Sequence, residues 1–496
     1  MTSEYGFLSL LPPVIAIILA IRTKQVYVSL LFGIWLGWVI IDDYDILQGS
    51  FDTVQALVDV FKEPGNTRTI MFCALVGALI IFIQRSGGVE GFIRHVNRLL
   101  EHYEQRQSGS NRIIVQLLAW LTGLLIFVES SISVLTVGAL YRPVFDKLKI
   151  SREKLAYIAD SSSAPSSILI PFNGWGAFIM SLLVLEGFDD PFATLLRAVG
   201  YNFYPILALI LVLVVIFSRK DFGPMRAAER RVRERGELLN EGAQPMISDE
   251  LTDVQTVAGA KPRAYNMVIP IVIMVLMMPV MLAVTGWESA VAERAGDSFM
   301  DQAFYAIGQG SGSTSVLIAV ITSTLFAMVF YRVQGIMGWK EMIDLTLKGI
   351  SGMMPLALLM MFAFAIGAVC GELGTGQYVA DVAKAWLSPN FVPFIVFLVS
   401  CFIAFSTGTS WGTFAIMISI AVPMARGMQA DVYMTVAAAL GGGVFGDHCS
   451  PISDTTILSS MASATDHIDH VRTQLPYALT AGGAAALLYL IIGLAG

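Results

Sequence analysis

The chain has 496 residues, of which 55% are hydrophobic and 14% charged, with a formal net charge of −7 and a mean hydropathy of +0.69. A soluble domain carries roughly 25% charged residues, which excludes that class and points to a polytopic membrane protein with the lipid bilayer as its solvent. No GxxxxGK[ST] loop and no HExxH site occurs, so ATP-driven pumping and metal-assisted hydrolysis lack their machinery. Neither a cofactor nor a nucleic-acid partner is expected, and the chain does not read as an enzyme. Cys73, Cys370, Cys401 and Cys449 lie in apolar or Gly-rich stretches without metal-ligand spacing, and read as small buried residues.

In chain order, the start MTSEYG has no A-x-A-like site before the first apolar run, so no cleavable signal peptide is expected. Crossings are predicted near 8–21, 26–41 and 69–84, separated by an acidic segment at 42–66 that belongs outside. Basic residues mark the cytoplasmic side. Arg85, Arg94, Arg98, Arg106 and Arg112 precede the apolar stretch 113–140, and Arg142, Lys147, Lys149, Arg152 and Lys154 follow it. A single crossing would put one of these clusters on the wrong side. A hairpin dipping in from the cytoplasm resolves the conflict: its arms of about fourteen residues reach only ~20 Å, and FVESSIS (127–133) forms its polar tip. Crossings near 155–185 and 196–217 lead to the basic segment 218–263, which carries RAAERRVRER and reads as a solvated cytoplasmic linker. Beyond it, 264–285, 313–331 and 349–371 cross, 391–426 forms a second hairpin entering from outside, and 431–463 and 475–495 cross.

The two halves match at an offset of 280. Pro143 lies over Pro423 and Pro171 over Pro451, FVESSISV over TGTSWGTF, and PFNGWG over PISDTT. Crossing parity turns one half upside down relative to the other. The expected fold is therefore an all-α polytopic membrane protein, an inverted repeat of about 5+5 transmembrane helices with two re-entrant hairpins and two broken helices. The first repeat is 1–217, the linker 218–263 and the second repeat 264–496. Inverted repeats with helices broken near the midplane are the common plan of secondary transporters.

The broken segments hold the polar residues. Ser161 to Ser163, Pro165, Pro171, Gly174 and Gly176 are expected to unwind the first, and Gly441 to Gly443, Gly446 and Pro451 the second. Unwound carbonyls, hydroxyls and a carboxylate make an all-oxygen environment suited to Na⁺, and a charge at that depth costs ~2.5–3.5 kcal/mol, so it reads as functional by default. Candidate cation ligands are Glu129, Ser130 and Ser131 at the first tip, Asp160 and Asn173 on the first broken helix, Thr407, Thr409 and Ser410 at the second tip, and Asp447, Ser450, Ser453, Asp454 and Thr455 on the second broken helix. Glu129, Asp447, His448 and Asp454 are the candidates for proton coupling. Asp454 could instead cap a half-helix, His448 could serve as a neutral hydrogen-bonding residue, and Trp175 and Trp411 read as packing.

GDHCSPISDTT (446–456) resembles the G-D-x-x-S-P-I-S-D-T-T signature of the NhaC family of bacterial Na⁺/H⁺ antiporters. The resemblance implies a scaffold part, a transport part with two hairpins and two broken helices, a homodimer, and Na⁺ coupling at Asp447, Ser450, Ser453, Asp454 and Thr455. The function expected is Na⁺/H⁺ exchange across the bacterial inner membrane. The second reading is a Na⁺-coupled carrier of a small organic acid or amino acid, and a remote third is an ion channel.

Overall fold

A computed structural model describes residues 5–23, 25–92, 94, 111–127, 130–245, 261–296, 298–383, 387–451 and 453–495. Among these the regular elements are helical, with one isolated β-bridge between Pro245 and Asp466. A 3-10 turn at Gly6–Leu10 leads into α1 (Leu11–Thr23) and α2 (Val26–Ile41). The acidic segment 42–66 contains a helix, α3 (Ile46–Asp59). Asp45 caps it by accepting from the N–H groups of Leu47 and Gln48 at 2.9 and 3.0 Å. α4 (Pro64–Arg85) opens on a proline, where a missing N–H costs nothing.

The 113–140 stretch is a pair of helices, α5 (Asn111–Leu125) and α6 (Ser130–Lys147). Its arms fold back on each other: the Ser133 hydroxyl donates to Gly123 O at 3.0 Å, and the Thr122 and Tyr141 hydroxyls meet at 2.8 Å. α7 (Arg152–Leu169) and α8 (Gly174–Leu185) are halves of one apolar segment bent by 41°. The expected 196–217 crossing is divided into α9 (Pro191–Val199) and α10 (Phe203–Ser218), and α11 (Gly223–Arg235) holds the basic run.

Next come α12 (Tyr265–Glu293), α13 (Phe299–Gln309), α14 (Gly312–Val333), α15 (Trp339–Glu372) and α16 (Thr375–Ala383). α17 (Val392–Thr407) and α18 (Ser410–Met428) are the arms of the second hairpin. They turn at Gly408, whose φ of 68° suits a residue without Cβ. α19 (Val432–Cys449) and α20 (Asp454–Ser463) form the second broken helix, and α21 (His467–Ala495) closes the fold.

The chain is an all-α multi-pass membrane protein. Among the described residues eight helices are long and apolar enough to cross, or nine when α7 and α8 count as one bent span. α2 spans the predicted 26–41 and α1 with the turn before it covers 8–21, as shorter apolar helices than the eight. Both arms of the second hairpin, expected to be re-entrant, are long and apolar enough to cross. Helix bounds recur at the spacing of 280: α6 and α18 start at 130 and 410, α7 and α19 span 152–169 and 432–449, and α8 and α20 start at 174 and 454.

α11 is docked, where a solvated linker was expected. It buries Met225, Ala228, Glu229 and Val232. Glu229 accepts from Arg112 at 2.7 Å and from the Ser151 N–H at 2.7 Å, and Arg231 reaches Glu153 at 2.7 Å. Two buried carboxylates are thereby matched to arginines, which holds one face of the helix to the bundle while Arg226, Arg230, Arg233 and Arg235 form an exposed charged face.

The glycines of α19 do not unwind it, contrary to expectation. A Cβ on Gly442 would lie 2.6 Å from Phe397 O, and one on Gly446 2.2 Å from the Ala404 carbonyl carbon. Their role is backbone-to-backbone packing of α19 on α17, the small-residue solution favoured where lipid supplies no hydrophobic drive. Likewise Ser161 to Ser163 and Pro165 stay inside α7, because Ser162, Ser163 and Ser166 return their hydroxyls to the carbonyls of Ile158, Asp160 and Ser162. Gly174 and Gly176 sit in α8. Among the described residues of these two segments, those outside the helices are 170–173, 450, 451 and 453.

Gly446→Val should therefore cost about 1–3 kcal/mol or more through overpacking, whereas Gly483→Ala, whose Cβ meets nothing within 4 Å, should be neutral or stabilising. Thermal stability of the two variants in detergent separates packing glycines from hinge glycines; equal stabilities would contradict the packing role.

Candidate functional site

Each break follows from a proline. Pro171 removes an N–H and holds Ile170 in an extended conformation (φ −108°, ψ 100°), and Pro451 follows Ser450 in the same way (φ −74°, ψ 135°). The next helices start on Asn173 and Ser453 as N-caps. Asn173 accepts from the Gly176 N–H at 3.0 Å and donates to Phe127 O at 2.9 Å and Ser167 O at 2.8 Å. Ser167 also donates to Phe127 O, at 3.1 Å. The first hairpin tip is thus bound to the first break by its own carbonyl. At the second break Ser450 donates to Phe405 O at 2.7 Å, joining it to the end of the first arm of the second hairpin.

Asp447 sits at the last turn of α19, only 3% exposed. Its Oδ1 accepts from the Ser453 hydroxyl at 2.8 Å and its Oδ2 from the Ser410 hydroxyl at 3.3 Å. Its carbonyl oxygen accepts from Thr455 at 3.4 Å and Thr456 at 3.2 Å, and the Ser453 and Thr455 hydroxyls lie 3.2 Å apart. One carboxylate, four hydroxyls and a freed carbonyl converge from a hairpin tip, a helix C-terminus and a helix N-terminus. Hard oxygen donors of this kind at a broken helix are what a Na⁺ or a proton can use.

Thr407 and Thr409 make their described hydrogen bonds within their own hairpin: Thr407 returns its hydroxyl to Ile403 O at 2.9 Å, and the Thr409 carbonyl accepts from Thr413 at 2.9 Å. Ser130 is buried at the start of α6, the position that Ser410 holds in α18. Glu129 lies outside the described residues, and nothing is described of the Ser131 and Asp454 side chains. Asp454 is the first residue of α20, and the N-cap is Ser453.

Asp160 is fully buried, well inside α7. Its Oδ2 accepts from Gln474 Nε2 at 2.8 Å and lies 3.6 Å from His470 Nε2, while its buried Oδ1 has no hydrogen-bond partner among the described residues. Gln474 Nε2 also donates to the carbonyl of His448, the residue next to Asp447. His448 is held at both ring nitrogens by hydroxyls, Ser161 at 2.8 Å and Tyr204 at 2.6 Å. His470 meets Ser459 at 2.9 Å, and Ser459 donates to Thr456 O at 2.9 Å. A continuous polar network thus links the two buried aspartates across α7, α19, α20 and α21. Sequence reasoning missed Gln474, His470, Thr456, Ser459, Ser161 and Tyr204. The usable signal was HIDHVRTQ, which places His467, His470 and Gln474 on one helical face.

Residues 184–494 match the model of the Na⁺/H⁺ antiporter family. An uncharacterized protein of Haemophilus influenzae is 31% identical over 98% of this chain and 90% of its own length. A Bacillus subtilis protein named malate-2H⁺/Na⁺-lactate antiporter is 26% identical over 36% of this chain and 38% of its own. The crystal structure of the YdaH transporter of Alcanivorax borkumensis superposes with a TM-score of 0.56 at 14% identity, covering 90% of this chain and 89% of that one. That likeness shows a shared fold. With the antiporter signature lying at the Asp447 cluster and the family match running through both, the chain belongs to the Na⁺/H⁺ antiporter family.

Proposed function

We infer that this protein exchanges Na⁺ for H⁺ across the bacterial inner membrane by alternating access, with Asp447 carrying one ion or the other. The observation that carries this reading is the seating of the Asp447 carboxylate between Ser410 of a hairpin tip and Ser453 of a helix break. A cation or a proton on that carboxylate changes the hydrogen bonds that join the two elements, so occupancy is coupled to their relative position. Both ions satisfy the same buried charge, and competition for it is the coupling.

An inverted arrangement of 1–217 and 264–496 is supported by where the hairpins are tied. Arg112, at the base of the first, bonds the carbonyls of Leu148 and Lys149 at the basic end of the bundle. At the base of the second, Arg426 bonds the Glu186 carbonyl at 2.6 Å, beside the acidic EGFDD loop. The positive-inside rule makes the first end cytoplasmic. The docked segment 218–245 is then a cytoplasmic clamp on the first broken helix. A second reading, Na⁺-coupled exchange of a small organic acid, is favoured by the partial likeness to the malate-2H⁺/Na⁺-lactate antiporter.

Two measurements decide. In proteoliposomes without organic solute, adding Na⁺ should move protons the opposite way, and apparent Na⁺ affinity should fall as pH falls; proton movement that appears only with malate, lactate or an amino acid would transfer the protein to the second reading. Asp447→Asn, which removes the exchanging charge, should lower Na⁺-driven proton flux at least ~100-fold, and Ser453→Ala about fivefold, as expected for a hydrogen bond worth about 1 kcal/mol, with both variants folded by size-exclusion chromatography. Unchanged flux in Asp447→Asn would move the site elsewhere.

A further inference from the structure

α8 and α18 run side by side from the site to the acidic end of the bundle, and their residues form layers. Nearest the site are Asn173 and Ser410, each at the start of its helix. One step outward the rings of Trp175 and Trp411 lie 5.3 Å apart, Phe178 and Trp411 5.2 Å, and Trp175 and Phe414 5.8 Å. Phe178 extends this layer to Phe364 of α15 at 5.8 Å. Beyond the aromatic layer a cavity of about 290 Å³ opens between these helices and α15 and α16, lined by Leu182, Ala415, Ser419, Gly371, Gln377 and Glu186 among others. Gly367 and Gly371, one turn apart on α15, both line it, and a Cβ on either would meet nothing within 4 Å.

Glu186 follows the last turn of α8, half-buried. Glu186 lines the cavity, and Arg426, stacked over the Phe188 ring at 4.4 Å, gives a hydrogen bond to the Glu186 main-chain carbonyl and not to its carboxylate. We propose that this cavity is the external access site for the transported cation, with the Glu186 carboxylate as its receiving group and the Trp175–Trp411 layer as the barrier between it and Asp447. The role of Glu186 as a receiver of Na⁺ rests on the exchange reading above. The groups that face it are Arg426 from α18 and Cys370 from α15, while α16 presents the neutral Gln377. Burial pushes the Glu186 carboxyl up to about 7, with Arg426 opposing. The carboxylate therefore attracts cations above neutral external pH and is discharged as external pH falls through about 7.

The test uses the full chain in right-side-out vesicles. Ser419→Cys, with the four native cysteines replaced, is treated from either side with a membrane-impermeant cationic methanethiosulfonate. It should react from outside only, and modification should stop cation transport. Glu186→Gln in proteoliposomes should raise the external Na⁺ half-saturation about fivefold to tenfold near pH 8 and less than about twofold near pH 6, because only the ionised carboxylate concentrates cations; its dependence on internal pH should match the wild type. Modification of Ser419→Cys from the cytoplasmic side, or transport that survives modification, would overturn the access site. External Na⁺ dependence identical to wild type at both pH values in Glu186→Gln would overturn the role of Glu186. A wild-type protein that moves no protons with Na⁺ would overturn the exchange reading, and the side from which Ser419→Cys reacts would still decide whether the cavity is the external access.

Discussion

Pro171 and Pro451 impose the constraint on which the rest of the structure depends. Each interrupts a helix inside a membrane-spanning bundle and frees backbone groups where no lipid can satisfy them. A buried unpaired polar group costs several kcal/mol in such surroundings, so something must be brought to each break. What arrives is a hairpin. The carbonyl of Phe127 accepts from Asn173 and Ser167 at one break, and that of Phe405 accepts from Ser450 at the other. The hairpins and the broken helices are therefore not separate features: each one makes the other tolerable.

The same requirement explains why the buried acids are where they are. A helix that ends inside the bundle presents its last carbonyls, and Asp447 at that end is held by hydroxyls from the two elements the break has drawn together. Thr455 and Thr456, in the first turn of the next helix, turn back to its carbonyl. Asp160 is tied to the same locus through Gln474, which spans from it to the His448 carbonyl. By contrast Glu153 and Glu229, also buried, face Arg231 and Arg112 at the basic end. At the basic end buried acids are matched by arginine or, for Asp221, by Lys154, whereas Asp447 at the break is met by hydroxyls and Asp160 inside α7 by amide and imidazole groups.

Much of this was legible in the residues. Basic clusters on both sides of 113–140 called for a hairpin, and α5 and α6 form one; the pair Pro171 and Pro451, 280 apart, marked the breaks, while Pro143 and Pro423 lie inside α6 and α18, and the bounds of α7 and α19 keep the spacing. The signature GDHCSPISDTT carried Asp447, Ser450, Ser453 and Thr455 into the site region. What failed did so for one physical reason: glycine and serine signal either a broken backbone or a close neighbour, and only the neighbour decides. Gly442 and Gly446 face the backbone of α17, and Ser162 and Ser166 are satisfied inside their own helix. The docking of α11 was hidden because ion pairs such as Arg231 with Glu153 join residues far apart in the chain. Gln474 and His470 were hidden because their partners lie on other helices, although their shared face was visible in HIDHVRTQ.

The central claim is that the transported cation is held where the second hairpin tip meets the second break. Its most direct test is a pair of high-resolution cryo-EM maps of the protein at alkaline pH, one in Na⁺ and one in choline. The account predicts a single additional density in Na⁺ within coordination distance of the Asp447 carboxylate and the Ser410 and Ser453 hydroxyls. A Na⁺-dependent density elsewhere, with that cluster unchanged between the two maps, would contradict it.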